Sequence, residues 1–189
     1  MPPKAKITKK DIVQAALALV REQGEQALNA RAVATALECS TQPVFSNFST
    51  MEELQKAMIE AAYGCYLDYI KREEASGEYP RYKAFGMAYI RFAGEERELF
   101  RLLFLRDRRG EEVSPPPDFE ESVCMIMEAN GVTQETAMRM HLENWTFVHG
   151  IGTMLATSFL TLDRELISEM VSDVYHGIRQ RHLQKEGTV

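Results

Sequence analysis

The side chains best placed to do chemistry fall within Asn29–Leu54, NARAVATALECSTQPVFSNFSTMEEL. Thr41, Gln42, Ser46 and Asn47 are short or medium polar groups that share the outward side of one short helix. Groups of this kind reach base edges and phosphates in a DNA groove. Val44, Phe45 and Phe48 would anchor that helix by its apolar side, and Ser40 and Phe45 count with the polar groups as expected DNA-binding residues. Ser40 stands where a hydroxyl can cap it, and Pro43 is tolerated in a first turn. Arg31, Lys56 and Lys9 are the nearby cations able to meet a phosphate backbone. A helical hairpin with a solvated polar face has the same periodicity, so the pattern taken by itself leaves both readings open.

Little else has the spacing of a reactive centre. There is no glycine-rich phosphate loop, no Ser/His/Asp signature and no HExxH. Cys39, Cys65 and Cys124 lack the CxxC spacing of a zinc site. His141-x-Glu143 resembles part of a zinc deaminase motif, but no proline-cysteine pair follows it. No catalytic residue, metal or cofactor is therefore expected. Three scattered cysteines also argue against a disulfide framework and fit a reducing cytoplasm.

The elements that must position these groups read as helices throughout. Thr8 with Asp11 makes an approximate capping box for a first helix whose stripe is Ile12, Ala16, Leu19 and Val13, Leu17, Val20, closed by Gly24. Asn29 can cap a second helix, with Val33, Ala34 and Leu37 inward. Further helical periods run over residues 50–74, 82–93, 95–105, 118–130, 134–162 and 164–184, and no convincing strand interrupts them. The expected class is all-α, with a helix-turn-helix domain over residues 1–55, including a basic arm over residues 1–10, and a helical domain over residues 56–189.

Charge sharpens the picture slightly. The net charge is −6, yet residues 1–72 hold nine Lys/Arg against eight Asp/Glu, leaving −7 for the remainder. A DNA footprint must therefore be local, a basic arm on a nearly neutral domain. No secretory signal is visible, since no apolar stretch follows the basic first ten residues. Residues 144–162 are charge-free for 19 positions, but His149, four threonines and two glycines suit a buried interface helix better than a membrane span.

With these residues in place, the N-terminal stretch resembles the DNA-binding domain of the TetR family. Val33-Ala34, Leu37, Ser40, Val44-Phe45, Phe48 and Leu54 stand in register with its pattern, and Ala15-Ala16 and Gly24 fit its first helix. Three residues depart from it. Glu38 replaces a turn glycine, Phe45 a tyrosine whose hydroxyl would contact phosphate, and Met51 a lysine aimed at the backbone. The resemblance implies a cytoplasmic homodimer on double-stranded DNA at a palindromic operator, a repressor released by a small apolar effector. The alternative is a helical small-molecule-binding or protein-interaction protein that has lost DNA recognition.

The rest of the chain is similar to the family in helical layout, and Leu99–Leu105 with Trp145 and His149-Gly150 resemble one C-terminal subgroup. By that resemblance the last two helices form the dimer. Gly152, Ala156, Phe159, Met170, Val174 and Ile178 are the expected seam, though ordinary packing within one chain explains small residues equally well. Phe85, Tyr89, Phe92, Phe104, Met125, Trp145 and His149 are the expected effector pocket, methionine and aromatics suiting an adaptable cavity.

Overall fold

The computed structural model describes residues 7–107, 109 and 115–186. Helix α1 (Lys9–Gln23) begins with a full capping box, in which Thr8 Oγ1 accepts the Asp11 N–H and the Asp11 carboxylate accepts the Thr8 N–H at 2.9 Å. It ends at Gly24, whose φ of +83° would strain any side chain. A 3₁₀ turn (Glu25–Ala27) leads to α2 (Ala30–Ala36), where Asn29 Oδ1 accepts the Ala32 N–H at 3.0 Å. Then follow α3 (Gln42–Asn47), α4 (Met51–Ser76), α5 (Arg81–Glu95) and α6 (Arg97–Phe100), which runs on as a π-helical turn (Arg101–Leu105). The last three are α7 (Phe119–Asn130), α8 (Gln134–Ala156) and α9 (Arg164–Glu186). No strand occurs among the described residues.

The chain divides into two compact units. The first runs up to Leu67 and includes Glu96–Arg106, and the second comprises Asp68–Glu95 and the chain from Asp107 onward. The boundary expected after residue 55 falls inside α4, a continuous helix. In the first unit α1 packs on α2, α3 and α6. Ile12, Ala16, Val20, Val33, Val44, Phe48, Leu54, Met58 and Leu99 fill that core. In the second unit α8 is central, with α5, α7 and α9 laid against it.

Two expectations are corrected here. The charge-free stretch is not one helix to Leu162, because α8 ends at Ala156 with Ser158 left-handed at φ +57°. The Ser158 N–H bonds to Leu155 O at 3.0 Å and the Phe159 N–H to Met154 O at 2.9 Å, the paired closure of a Schellman turn. Likewise Ser40 does not cap α3. Thr41 holds the cap position without a side-chain bond, and Pro43 within the first turn removes one of the amide groups that a cap would satisfy.

Burial fixes one titration. His141 Nδ1 lies 3.1 Å from Tyr82 Oη, and burial holds its imidazole down to about 4. The unfolded chain takes up that proton at the ordinary histidine value near 6.5, so the lowered folded value costs stability only on the acid side. Stability should be flat above about pH 6.5 and fall toward pH 4, by about 3 kcal/mol in all from this one group. Melting curves across this range check it: His141→Phe should flatten the acid limb, and an unchanged limb would assign the loss to other groups.

Candidate nucleic-acid interface and ligand cavity

Between α2 and α3 the chain makes a closed turn. The Glu38 N–H bonds to Thr35 O at 3.1 Å and the Cys39 N–H to Ala34 O at 3.0 Å, again a Schellman pairing. Glu38 stands in it at φ +50°. Here a left-handed backbone costs a non-glycine residue about 1–2 kcal/mol. The turn geometry is thus kept although its usual residue is absent.

The turn sets which side of α3 faces out. Val44 and Phe48 are buried, at 1% exposure each. They lie four residues apart on one face, which rotates Phe45 about 100° away from it. Phe45 is consequently 53% exposed, a correction to its expected role as an anchor. Gln42, Phe45 and Ser46 make the outward face, flanked by half-buried Thr41 and Asn47, with Ser40 exposed just before them. Ser46 Oγ donates to Gln42 O at 2.9 Å and Asn47 Nδ2 to Pro43 O at 2.8 Å. Both side chains have therefore turned a donor back onto their own helix.

Positive charge on this unit is thin. Lys9 Nζ pairs with Glu53 Oε1 at 2.9 Å and sits 4.6 Å over the Phe48 ring. Glu53 also accepts the Ser49 N–H at 2.8 Å, and the bond from Lys9 leads in holding its carboxyl below the usual carboxylate range. Arg31 and Lys56 are exposed on α2 and α4. Lys4 and Lys6 of the expected basic arm lie outside the described residues.

In the second unit a cavity of about 610 Å³ opens between α5, α7, α8 and α9. Met125, Val171 and Pro80 supply apolar wall, Tyr82 and Tyr175 aromatic wall, and Lys83, Asn144 and Ser172 polar lining. Lys83 Nζ donates to Ser168 Oγ at 2.6 Å and Ser172 Oγ at 2.8 Å, and burial lowers its pKa. Asn144 Nδ2 donates to Tyr82 Oη at 3.3 Å, while its buried Oδ1 has no partner among the described residues. Such an atom costs about 1–3 kcal/mol unless something else reaches it.

Of the residues expected to line a pocket, Met125 does so here. Trp145 lines a smaller cavity of about 240 Å³ with Phe119, His141 and Leu142. Phe85, Tyr89 and Phe92 are buried core of the second unit, and Phe104 belongs to the first, where it packs edge-on to Tyr63 and Tyr66. His149 stacks on Trp145 at 5.0 Å and bonds through Nδ1 to Tyr89 Oη at 2.7 Å. Tyr82, Lys83, Asn144 and Ser172 come to this cavity from three helices, and no aromatic or methionine spacing along one helix marks them in the sequence.

Among the expected seam residues, Gly152 and Ala156 are buried within their own unit, where no second chain can reach them. Phe159 lies beyond the end of α8 and is 76% exposed. Met170 and Val174 are half-buried, and Ile178 packs onto a cluster that includes Ile126 and Met140. Leu142, Met138, Met154 and Leu166 are the further exposed apolar groups of α8 and α9.

No group of three or more His, Cys, Asp or Glu able to hold a metal occurs among the described residues. His141 and Glu143 serve different partners, His141 meeting Tyr82 while Glu143 pairs with Arg181 and His182. No helix of the described residues is long and apolar enough to cross a membrane.

No sequence-family model matches the chain, and no curated protein matches it by sequence. Solved structures do. A protein of unknown function from Rhodococcus sp. RHA1 superimposes with a TM-score of 0.73 at 19% identity, over 95% of this chain and 98% of that one. A TetR-family member from Streptomyces coelicolor A3 gives 0.58 at 16% identity, over 88% and 96%. A protein described as a candidate TetR-family transcriptional regulator, from Vibrio parahaemolyticus, gives 0.63 at 14% identity, over 88% and 96%. The chain has the all-helical fold of TetR-family regulators.

Proposed function

We propose that this chain is a TetR-type transcriptional regulator that binds a palindromic operator as a homodimer and represses until a small, largely apolar effector releases it. One observation carries the reading. The closed turn at Glu38 holds α3 as a second short helix whose outward face is Gln42, Phe45 and Ser46, with Arg31 exposed on α2. A gel shift of the full chain against duplex DNA, run over a salt series, tests it. Arg31→Ala should weaken all duplexes about equally and flatten the salt dependence, as loss of a phosphate contact must. The thin charge predicts a shallow slope to begin with. An absence of any salt-dependent shift would favour the alternative, a helical binding protein without DNA recognition.

The cavity of the second unit supports the effector half of the reading. Its apolar wall, with Asn144 and Ser172 as polar points, suits a compact ligand held in one orientation. A ligand that prefers the released arrangement by about 3 kcal/mol shifts the equilibrium more than a hundredfold. Gly86 lines this cavity, and a Cβ there would meet only Val148 Cγ2 at 3.5 Å. Gly86→Leu should therefore fill the space and weaken ligands found by thermal-shift screening more than tenfold, with DNA binding intact. Ligands that bind the variant undiminished would place the effector site elsewhere.

A further inference from the structure

We propose that the outward face of α3 reads A·T base pairs, with the Gln42 carboxamide on an adenine and the Phe45 ring on the methyl group of a thymine. This rests on the DNA-binding reading above and adds to it the base composition of the half-site. The argument begins with what α3 lacks. Its sequence, QPVFSN, has no lysine or arginine, so the helix cannot offer the bidentate cation that recognises guanine O6 and N7. Nor does it hold a carboxylate to accept from cytosine N4.

Its remaining chemistry is narrow. Ser46 and Asn47 each direct a donor to a backbone carbonyl one turn back. Gln42 is exposed, and among the described residues no hydrogen bond engages its carboxamide. It keeps both N–H donors and its oxygen acceptor, and that pair of functions matches adenine N7 and N6 in the major groove. Phe45, three residues on, shares the face and is 53% exposed. A phenyl ring has no hydroxyl to give a phosphate, so its exposed area gains most against an apolar group. The thymine C5-methyl is the one such group on the major-groove edge of the bases. Adenine beside thymine along one strand, or their complements across the pair, satisfies both side chains at helical spacing.

The experiment is selection of the full chain on a randomised duplex library, followed by single-position replacement of thymine by deoxyuridine, which removes only the methyl. The expected result is enriched half-sites with adjacent A·T pairs. At one thymine per half-site, loss of the methyl should weaken wild-type binding about fourfold, the worth of one buried methyl-sized group. Phe45→Ala should bind more weakly and be indifferent to that change. Gln42→Ala should lose about five- to a hundredfold of its discrimination at the neighbouring pair. Both side chains are exposed, so both variants should melt as wild type does. Enriched half-sites built on G·C, or a deoxyuridine penalty that persists in Phe45→Ala, would overturn the base assignment while leaving DNA binding in place. A library from which nothing is enriched would overturn both.

Discussion

Val174→Glu is expected to yield a helical monomer with at least a hundredfold less affinity for a two-half-site operator. In the proposed dimer, α8 and α9 of one protomer meet the same helices of its partner, so any substitution appears twice about the symmetry axis. The apolar groups available there are Leu142 at 59% exposure, Leu166 at 41% and Met138 at 42%, with Met170 and Val174 half-buried between turns of α9. Two carboxylates brought together in that seam would each be desolvated without a partner, at a cost of several kcal/mol. Asp173 is adjacent and adds a like charge. Within one protomer Val174 keeps access to water, and the helix should tolerate the change. Losing the second half-site removes about 3 kcal/mol or more of DNA binding, which is the hundredfold. Sedimentation, circular dichroism and a gel shift on one sample test the chain of steps. A wild-type monomer at micromolar concentration, or a variant that still dimerises, would reject the α8–α9 seam.

The features legible in the sequence were those decided within a few residues. Thr8 with Asp11, Gly24 and the Asn29 cap are local hydrogen-bond problems, and the structure solves each as the side chains allow. Glu38 is the instructive case. Its left-handed backbone runs against residue preference, so only the register with the family pattern pointed to it. Where the outcome depended on packing, periodicity was not enough. Val44, Phe45 and Phe48 are all apolar and closely spaced, but a six-residue helix can bury one face only, and Phe45 is left outside. Ser158 ends α8 with no glycine or proline to announce it. Phe85, Tyr89 and Phe92 have the residue types of a ligand pocket and the burial of a core. The cavity lies instead beside Tyr82, Asn144 and Ser172, side chains from three helices whose convergence no single-helix pattern encodes.

Arg164→Met should destabilise the second unit by about 3 kcal/mol, through the carboxylate it leaves behind. Glu73 is 2% exposed on α4, a position where an ionised carboxylate persists only if paired. Arg164, at the start of α9, contacts it directly and also bonds to Glu78 Oε2 at 2.7 Å, with its guanidinium 5.4 Å over the Tyr79 ring. Arg91 Nη1 lies 3.5 Å from the other Glu73 oxygen. That second cation remains in the variant and keeps the loss at the lower end of the 3–5 kcal/mol typical of a broken buried pair. Methionine keeps an apolar side chain of similar length while removing the guanidinium from both Glu73 and the Tyr79 ring. The double variant Glu73→Gln with Arg164→Met then separates two accounts. If the cost is an unpaired buried carboxylate, neutralising it should recover most of the loss, giving a coupling energy well above the scatter of independent sites. If the two losses simply add in denaturant unfolding, Arg164 acts through Glu78 and Tyr79, and Glu73 is held by Arg91 alone.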